Sequence, residues 1–165
     1  MIFVTVGTHE QGFDRLIRKI DELKRDELIK DDVFMQTGYC QYQPQFCKFK
    51  QFISYSQMNQ YTVESRIVIT HGGPASFMNV LAKGKIPIVV PRQHKFNEHV
   101  NDHQLAFVKK VIEKGYNIKL VVDVDHLLET INSFNQEDSL DIKSHTPLFV
   151  EALDDKINQL LGEKK

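Results

Sequence analysis

The stretch His71-Gly72-Gly73-Pro74-Ala75-Ser76 decides the fold class of this chain because of what stands on either side of it. The run before it, Arg66-Ile67-Val68-Ile69-Thr70, is rich in β-branched residues and is typical of a buried strand. Residues 77–83 have helical spacing and stop at Gly84, and a second strand-like run covers residues 85–91. This order predicts a glycine turn at the carboxyl end of one parallel strand and at the start of a helix.

The composition of the turn favours the binding of an anion. Gly72 and Gly73 allow close approach of a ligand to the backbone, and Pro74 suits the first helical turn, where its missing N–H costs nothing. Unpaired backbone N–H groups and the helix dipole then favour a group such as a diphosphate.

The amino-terminal residues predict a second unit of the same kind. Ile2-Phe3-Val4-Thr5-Val6 is typical of a central parallel strand, and a polar loop with two glycines, residues 7–12, follows it. Apolar residues then recur with helical spacing from Phe13 to Leu23. The loop is either a plain connection or one that presents groups to a ligand. Its glycines do not form G-x-G-x-x-G, which argues against an NAD-dependent enzyme.

The remaining residues continue the alternation of strands and helices, which predicts a doubly wound, Rossmann-like parallel α/β sheet in a single domain over residues 1–165. The aromatic residues of 39–50 are interpreted as packing residues rather than a stacking platform. The further strands are expected at residues 33–38, near 46–52 and at 117–122. The further helices are expected at 54–64 with Ser54 or Ser56 as cap, from Leu105 to near Gly115, at 123–134 and, after a polar loop at 135–144, at 147–161.

Composition excludes several classes of function. The formal net charge is −1, which argues against nucleic-acid binding. Cys40 and Cys47 are the only cysteines, and we expect reduced thiols in a cytoplasm because no secretory signal precedes them. No apolar run approaches the roughly 20 residues that span a bilayer.

A polar stretch, residues 92–104, contains three of the seven histidines and follows the strand at 85–91. His99 and His103 are four residues apart, a spacing that can place both on one helical face and bind a metal. Hydrogen bonding to ligand hydroxyls and a solvated helix start are the alternatives, and no metal is expected because H-E-x-x-H is absent. The carboxyl ends of the strands at 66–70 and 85–91 are expected to lie side by side, where open α/β sheets bind ligands.

Taken together, these stretches resemble the carboxyl-terminal, donor-binding half of a GT-B glycosyltransferase of the family 28 type. More narrowly, the chain is similar to the small subunit of two-chain UDP-sugar transferases. These include the eukaryotic dolichol-linked UDP-N-acetylglucosamine transferase and, with the better fit, bacterial enzymes of capsule or exopolysaccharide synthesis. The stretches that carry the resemblance are Val4 to Gln11, Thr70 to Met78, Gly84 to Arg92 and Glu98 to Gln104.

The resemblance implies a role for each matching residue. Gly72, Gly73 and Ser76 would hold the UDP diphosphate, residues 101–104 would contact the donor sugar and its phosphates, and residues 7–11 would line the diphosphate from the other side. The donor-binding residues that it implies are Gly7, Thr8, His71, Gly72, Gly73, Ser76, Asn79, Arg92, Glu98, Asn101, Asp102, His103 and Gln104.

Two positions depart from the pattern of the family. Asn79 stands where a carboxylate usually binds the ribose hydroxyls, and an amide lacks charge-assisted hydrogen bonds. Asn97 stands where a glycine is expected before Glu98, which predicts a slightly different loop.

The resemblance also implies an inverting transfer, of galactose by expectation, from a UDP-sugar to a lipid-linked polysaccharide precursor, with no metal or other cofactor. The general base is expected on a membrane-anchored, acceptor-binding partner subunit, with His9 as the local alternative and Glu10 as a weaker one. The partner would hold the chain at the cytoplasmic face of the membrane, with helix 147–161 as its docking element or, alternatively, as a core helix. A non-catalytic, UDP-sugar-binding regulatory subunit is the alternative function.

Overall fold

The computed structural model describes residues 1–134, together with Asp155 and Gln159. The strands are β1 (Ile2–Thr5), β2 (Val33–Gln36), β3 (Lys48–Lys50), β4 (Ile67–His71), β5 (Ile88–Val90) and β6 (Lys119–Leu120). The helices are α1 (Asp14–Arg25), α2 (Tyr55–Glu64), α3 (Pro74–Ala82), α4 (His103–Glu113) and α5 (Leu127–Asn132). The predicted loop 135–144 and, apart from Asp155 and Gln159, the predicted helix 147–161 lie outside the described residues.

The six strands form one sheet in the order β3-β2-β1-β4-β5-β6, and every pair is parallel. This confirms the predicted doubly wound sheet, the central position of β1 and the pairing of β4 with β5. The strand order reverses between β1 and β4, and in open α/β sheets ligands bind in the crevice outside the carboxyl ends of the strands at such a point. The loops that follow β1 and β4 therefore flank the expected binding crevice.

The pleat of the strands divides the core between the two faces of the sheet. Alternate residues such as Val4 and Ile69 pack with α1 and α5, while Phe3 and Val68 pack against Val80 of α3 on the other face. Successive side chains of a strand point to opposite faces of the sheet. Because helices cover both faces here, the residues of a central strand such as β1 are all buried, and its sequence is largely apolar without alternation.

Local chemistry explains where several elements begin and end. Ser54 caps α2, and its hydroxyl accepts from Gln57 N while the Gln57 side chain accepts from Ser54 N. Strand β5 is shorter than predicted and lies between Pro87 and Pro91, neither of which can donate a ladder hydrogen bond.

The segment predicted as one helix at 123–134 is split. A 3₁₀ turn, Val124–His126, precedes α5, and Asp123 accepts a hydrogen bond from Asp125 N at its start. Helix α4 begins at His103, so of the alternatives for His99 and His103 the shared helical face is excluded. Another 3₁₀ turn, His94–Phe96, and a loop occupy the residues before it.

A buried carboxylate on α1 organises the connection that leads to β3. The side chain of Asp21 is fully buried and accepts four hydrogen bonds. The donors are Tyr42 Oη at 2.7 Å, Gln45 N at 2.9 Å, Phe46 N at 2.8 Å and Cys47 N at 3.0 Å. Burial acts to raise the pKa of Asp21, but these hydrogen bonds outweigh it and hold the pKa below its usual value.

Both cysteines are free thiols. Burial raises the pKa of Cys40 to about 11 and that of Cys47 to about 12, so both sulfurs stay protonated near neutral pH. In the described part of the chain, no helix is long and apolar enough to cross a bilayer.

Candidate functional site

The imidazole of His71, the last residue of β4, lies at the centre of the loops that meet outside β1, β4 and β5. Its Nδ1 accepts a hydrogen bond from Gly73 N at 3.0 Å, and its Nε2 lies 2.8 Å from Ser76 Oγ. A backbone N–H can only donate, so Nδ1 carries the lone pair and Nε2 carries the proton. Because Nε2 donates to Ser76 Oγ, the hydroxyl proton of Ser76 remains available to a ligand.

The ring of His71 is held in its neutral form. Burial lowers the pKa of His71 to about 3, and the charges of Arg92 and of His9 and His99 act in the same direction. A protonated ring would also put a second N–H against Gly73 N. The neutral tautomer that orients Ser76 therefore persists throughout the neutral range.

We expect the His71 ring not to titrate between pH 8 and pH 5, because its pKa of about 3 lies well below the roughly 6.5 of an unfolded chain. Below about pH 6.5 the unfolded chain takes up this proton first, so the His71 contribution to stability falls as the pH drops towards 3. Proton NMR of the imidazole resonances checks this, with His71 assigned by its loss in His71→Gln. A midpoint between pH 6 and 7 for that resonance would contradict the proposed tautomer.

Two glycines make room for this ring, which changes the interpretation of the glycine turn. A Cβ at Gly7 would lie 2.5 Å from His71 Nε2, and Gly7 has a φ of +75° that side chains disfavour. A Cβ at Gly73 would overlap the same imidazole. The space beside these glycines is filled by His71, so their first role is to accommodate a side chain of the protein itself.

The amides of the turn are also less free than predicted. Gly72 N donates to Gln104 Oε1 at 3.1 Å, Gly73 N donates to His71, and Pro74 has no N–H. The prediction of unpaired amides at Gly72 and Gly73 is therefore wrong, because side chains occupy them. The donors left for an anion are Ala75 N, in the first turn of α3, and the Ser76 hydroxyl.

Gln104 joins the ends of β4 and β5. Its Oε1 accepts from Gly72 N at 3.1 Å and from Arg92 N at 3.0 Å, and Nε2 lies 3.4 Å from His71 Nδ1. Both lone pairs of the oxygen are used, and the residue is only 9% exposed. The structure places Gln104 as a brace between the loops, not at an exposed position from which it contacts a sugar.

Arg92 is the largest fully buried side chain described, at 1% exposure. Its Nη2 donates to Val6 O at 2.7 Å, and Nη1 donates to Gln11 O at 2.6 Å and Glu98 O at 3.1 Å. The guanidinium also lies 5.1 Å from the ring centre of Phe13. Because Arg92 is buried, the implied direct contact of its side chain with the donor is wrong. Arg92 holds the loop after β1 against the loop after β5, and it acts on the cleft only through its positive charge.

Glu98 is buried in the same way, at 3% exposure. Its carboxylate accepts from Arg15 Nε at 2.7 Å and Nη2 at 3.0 Å, and Oε2 also accepts from Gln93 N at 3.0 Å. This bidentate pair leaves the carboxylate no exposed face, so Glu98 fixes the loop to α1 instead of binding the donor. Asn97, just before it, has a φ of 57°, so it supplies the left-handed conformation of the expected glycine.

The side chains of Asp102 and His103 are exposed at the rim, and Asn101 is half-buried. Asp102 Oδ1 accepts from His94 N at 2.9 Å, and Asn101 Oδ1 accepts from His103 N at 3.0 Å. These bonds order the start of α4 and leave the second Asp102 oxygen and the His103 ring open to solvent. Their implied contact with the sugar stays a prediction.

His9 belongs to a stacked pair that joins two loops. Its ring lies 4.8 Å from that of His99, at an interplanar angle of 17°, and its Nε2 is 2.9 Å from Gln11 Oε1. Burial, with His9 and Arg92, lowers the pKa of His99. The stack holds the loop after β1 against the loop after β5, while the exposed Thr8 and Glu10 stand beside it.

A cavity of about 540 Å³ opens between the loop after β1 and helices α2 and α3. One end is polar, with Gly7, Thr8 and Ser76, and the other carries apolar and aromatic side chains. The hydroxyl of Thr70 also borders it, fully buried and without a partner in the described residues. The residues that sequence reasoning had not singled out are Thr5, Gln36, Phe52, Ile53, Tyr55, Met58, Thr62, Val68, Thr70, Ala75 and Val80.

Asn79 lies on the wall of this cavity, one helical turn after Ser76, and its Nδ2 is 3.4 Å from Asn59 Oδ1. Its own oxygen remains able to accept from a ligand hydroxyl. The position implied by the resemblance is therefore inside the cavity, with an amide in place of the carboxylate.

A larger, open groove of about 850 Å³ lies on the α1 side of the loop after β1. Four of its eight charged side chains form two ion pairs, Arg15 with Glu98 and Lys19 with Asp125. The smaller cavity, with the buried, unpartnered Thr70 hydroxyl and an apolar wall, is the better candidate for a ligand. Among the described residues, no three side chains of metal-ligating type come together.

The family model of the glycosyltransferase family 28 C-terminal domain matches residues 1–158. The chain belongs to this family. The predicted membership is thereby confirmed, and the sheet is that of the carboxyl-terminal domains of GT-B glycosyltransferases.

Two solved structures are similar to this family 28 domain. The glycotransferase of kitacinnamycin is 16% identical with a TM-score of 0.62, over 96% of this chain and 42% of its own. The calicheamicin glycosyltransferase CalG4 is also 16% identical, with a TM-score of 0.57 over 98% of this chain and 43% of its own. Such identities show the fold alone, and the chain spans less than half the length of either protein. A search of curated proteins finds no match.

Proposed function

We propose that this domain binds the UDP-sugar donor of an inverting glycosyltransferase and transfers its hexose, galactose by expectation, to a lipid-linked saccharide. The observation that carries the proposal is the cavity of about 540 Å³, which leads from an apolar wall to the Ser76 hydroxyl at the start of α3. A nucleotide sugar has the matching polarity, with a flat base at one end and a diphosphate at the other.

The polar end suits a diphosphate. Ser76 offers a hydroxyl proton because His71 occupies its oxygen, Ala75 N offers a backbone donor, and the dipole of α3 favours negative charge. The Arg92 guanidinium adds positive charge from behind the loops. These groups stabilise the charge that gathers on UDP as the glycosidic bond breaks, and we propose that they do so without a metal or other cofactor.

The other end suits a nucleoside. Phe52, Ile53 and Met58 form an apolar surface on which a base can lie. The side-chain oxygen of Asn79 is proposed to accept a hydrogen bond from a ribose hydroxyl. Beyond the diphosphate, the exposed Asp102 and His103 are proposed to contact the sugar hydroxyls. In this proposal the base lies near α2, the diphosphate at the start of α3 and the sugar near the start of α4.

The acceptor site and the general base are proposed to lie on a separate, membrane-anchored chain that faces the carboxyl ends of the strands. His9 is the local alternative as base, and its stacking on His99 constrains it. Such a partner would hold the domain at the cytoplasmic face of the membrane.

Calorimetric titration of the purified chain with UDP, UDP-galactose, UDP-glucose and UDP-N-acetylglucosamine tests the donor site. We expect Ser76→Ala to weaken UDP binding about 10-fold or more, because a hydrogen bond to a charged group contributes about 1.5–3 kcal/mol. Ser133→Ala, an exposed serine at the end of α5, is the matched control and should bind as the wild type does. Equal affinities of all three proteins for UDP would refute the placement of the diphosphate.

Transfer is tested separately, with the acceptor-binding partner and a lipid-linked acceptor added. Turnover that requires both chains supports the proposal. Full turnover by this chain alone would refute the need for a partner, and donor binding without turnover by the pair would favour a regulatory subunit.

A further inference from the structure

The open edge of the sheet has an unusual composition. Residues 33–63 contain no aspartate or glutamate, although the chain has 22 acidic residues. The strand β3 lies within this segment and is the edge strand next to β2. We call its exposed side chains, with those that flank it, the aromatic edge: Tyr39, Phe46, Lys48, Phe49, Lys50 and Phe52.

Among the aromatic residues of 39–50, Tyr42 packs against the core as interpreted, whereas Tyr39, Phe46 and Phe49 are exposed, which corrects the interpretation for these three. Phe46 is 52% exposed, Phe49 38%, Phe52 45% and Tyr39 50%, and the rings of Tyr39 and Phe52 meet edge to face at 5.3 Å between centres. Four half-exposed aromatic rings lie along this short edge. Clusters of exposed apolar side chains of this kind mark interaction surfaces.

The lysines lie between these rings. The pleat places Phe49 on the same face as Met35, and Lys48 and Lys50 on the face of Phe34 and Gln36. Within the described residues the two ammonium groups form no hydrogen bond or ion pair, and a lysine on an edge strand discourages the addition of another strand. The edge strand therefore presents the Phe49 ring on one face and two lysines on the other.

Charges from neighbouring elements do not cancel this pattern. The Asp21 carboxylate is buried under residues 45–47 and saturated by their amides. Near Phe46, a shallow groove contains Glu27 but also Lys24, Arg25 and Lys30. Tyr39, by contrast, borders the larger groove, which is lined by five carboxylate and three basic side chains. The positive charge of the edge is therefore concentrated around Phe46 and Phe49. Aromatic rings and lysines on a segment without carboxylates are the composition of surfaces that lie at the boundary of an anionic bilayer.

We propose that the aromatic edge binds the headgroup region of an anionic phospholipid bilayer, with the rings at the boundary of the acyl chains and the lysines on lipid phosphates. This contact requires no anchored partner, and Phe46, Lys48, Phe49 and Lys50 lie outside the lining of the donor cavity. Phe52 belongs both to the edge and to the wall of the donor cavity. Binding by this edge therefore brings the mouth of the cavity to the membrane surface, where a lipid-linked acceptor presents its sugar.

The absence of tryptophan from the chain allows a direct test. Phe49→Trp places a single reporter on the edge, and Phe96→Trp places one at an exposed site of similar accessibility, 46%, on the loop after β5. With vesicles of phosphatidylcholine and 30% phosphatidylglycerol, we expect a blue shift and quenching by brominated lipid for Phe49→Trp only. Equal responses of the two reporters, or none, would overturn the proposal.

Vesicle flotation measures how much the aromatic and the basic side chains each contribute to membrane binding. We expect Lys48→Gln/Lys50→Gln to reduce binding about 25-fold, since each interfacial lysine contributes roughly a factor of five. We expect Phe46→Ser/Phe49→Ser to reduce binding about 10-fold or more, since two aromatic side chains no longer enter the interface. Lys109→Gln/Lys110→Gln on α4 removes the same charge elsewhere and should leave binding unchanged. Equal losses in both lysine pairs would show a nonspecific charge effect and refute the edge.

UDP titration of the edge variants separates this proposal from the function of the site. Retained UDP affinity with lost vesicle binding supports a lipid surface that is independent of the donor site. Wild-type protein that binds UDP but not vesicles overturns the membrane contact, leaves the donor site intact and favours a protein partner on this edge.

Discussion

Replacing Arg92 with methionine is expected to lower the free energy of unfolding by about 3–5 kcal/mol, because three carbonyl oxygens from two loops lose a charged donor inside the protein. The affected acceptors are Val6 O, Gln11 O and Glu98 O. Methionine fills much of the volume but offers no hydrogen, so those buried oxygens stay unsatisfied. Chemical denaturation followed by circular dichroism measures the change.

The same substitution is expected to weaken UDP binding, although Arg92 does not reach the cavity. Its guanidinium fixes the loop after β1 against the loop after β5, and its charge lies behind the diphosphate position. Arg92→Lys separates the two effects, since it keeps the charge but cannot span three carbonyls with a planar fork. We expect Arg92→Lys to be destabilised, and to retain more of its affinity for UDP than Arg92→Met.

Arg25→Met is the matched control for Arg92→Met. Arg25 pairs with Asp26 on the surface, where both side chains are 50% exposed, and such pairs contribute little. Its stability should be nearly that of the wild type. A stability of Arg92→Met as high as that of Arg25→Met would show that the buried guanidinium does not hold the loops.

Replacing Asp21 with alanine is expected to lower the free energy of unfolding by about 3–4 kcal/mol, since three backbone amides and the Tyr42 hydroxyl lose their acceptor. The connection that carries Phe46 and leads to β3 then loses its anchor to α1. Asp26→Ala, at an exposed carboxylate after the same helix, is the control and should have little effect.

Asp21 also makes stability depend on pH. Its folded pKa lies below the unfolded value of about 3.9, so the unfolded chain binds the proton first. The stabilisation is present above that value and is lost as the pH falls through the folded pKa. Denaturation midpoints between pH 7 and pH 3 should therefore decline less steeply in Asp21→Ala than in the wild type, and parallel curves would contradict this assignment.

Much of the fold follows from local sequence patterns. The β-branched runs at residues 2–6 and 66–70 could form only buried strands, and the glycine turns placed a helix after each. The alternation then required parallel pairing with right-handed crossovers, which left the carboxyl ends of β1, β4 and β5 as the place of the site. Strand ends, the split at α5 and the exact start of α4 were not predictable, because single side-chain bonds and prolines decide them.

The sequence by itself determined the fold class, the family and the segments that meet at the site, because periodicity and motif spacing are local and depend on few residues. Only the tertiary structure decided which polar residues line the candidate cavity and which are used inside the protein. His71, Arg92, Glu98 and Gln104 look alike in a sequence as polar residues in loops, yet each is used within the protein. The reason is physical: crossing loops bury their own amides and carbonyls, those groups must find partners, and the partners come from distant segments. The glycine turn at residues 71–76 thus makes room for the His71 ring, and this ring orients the Ser76 hydroxyl towards the candidate cavity.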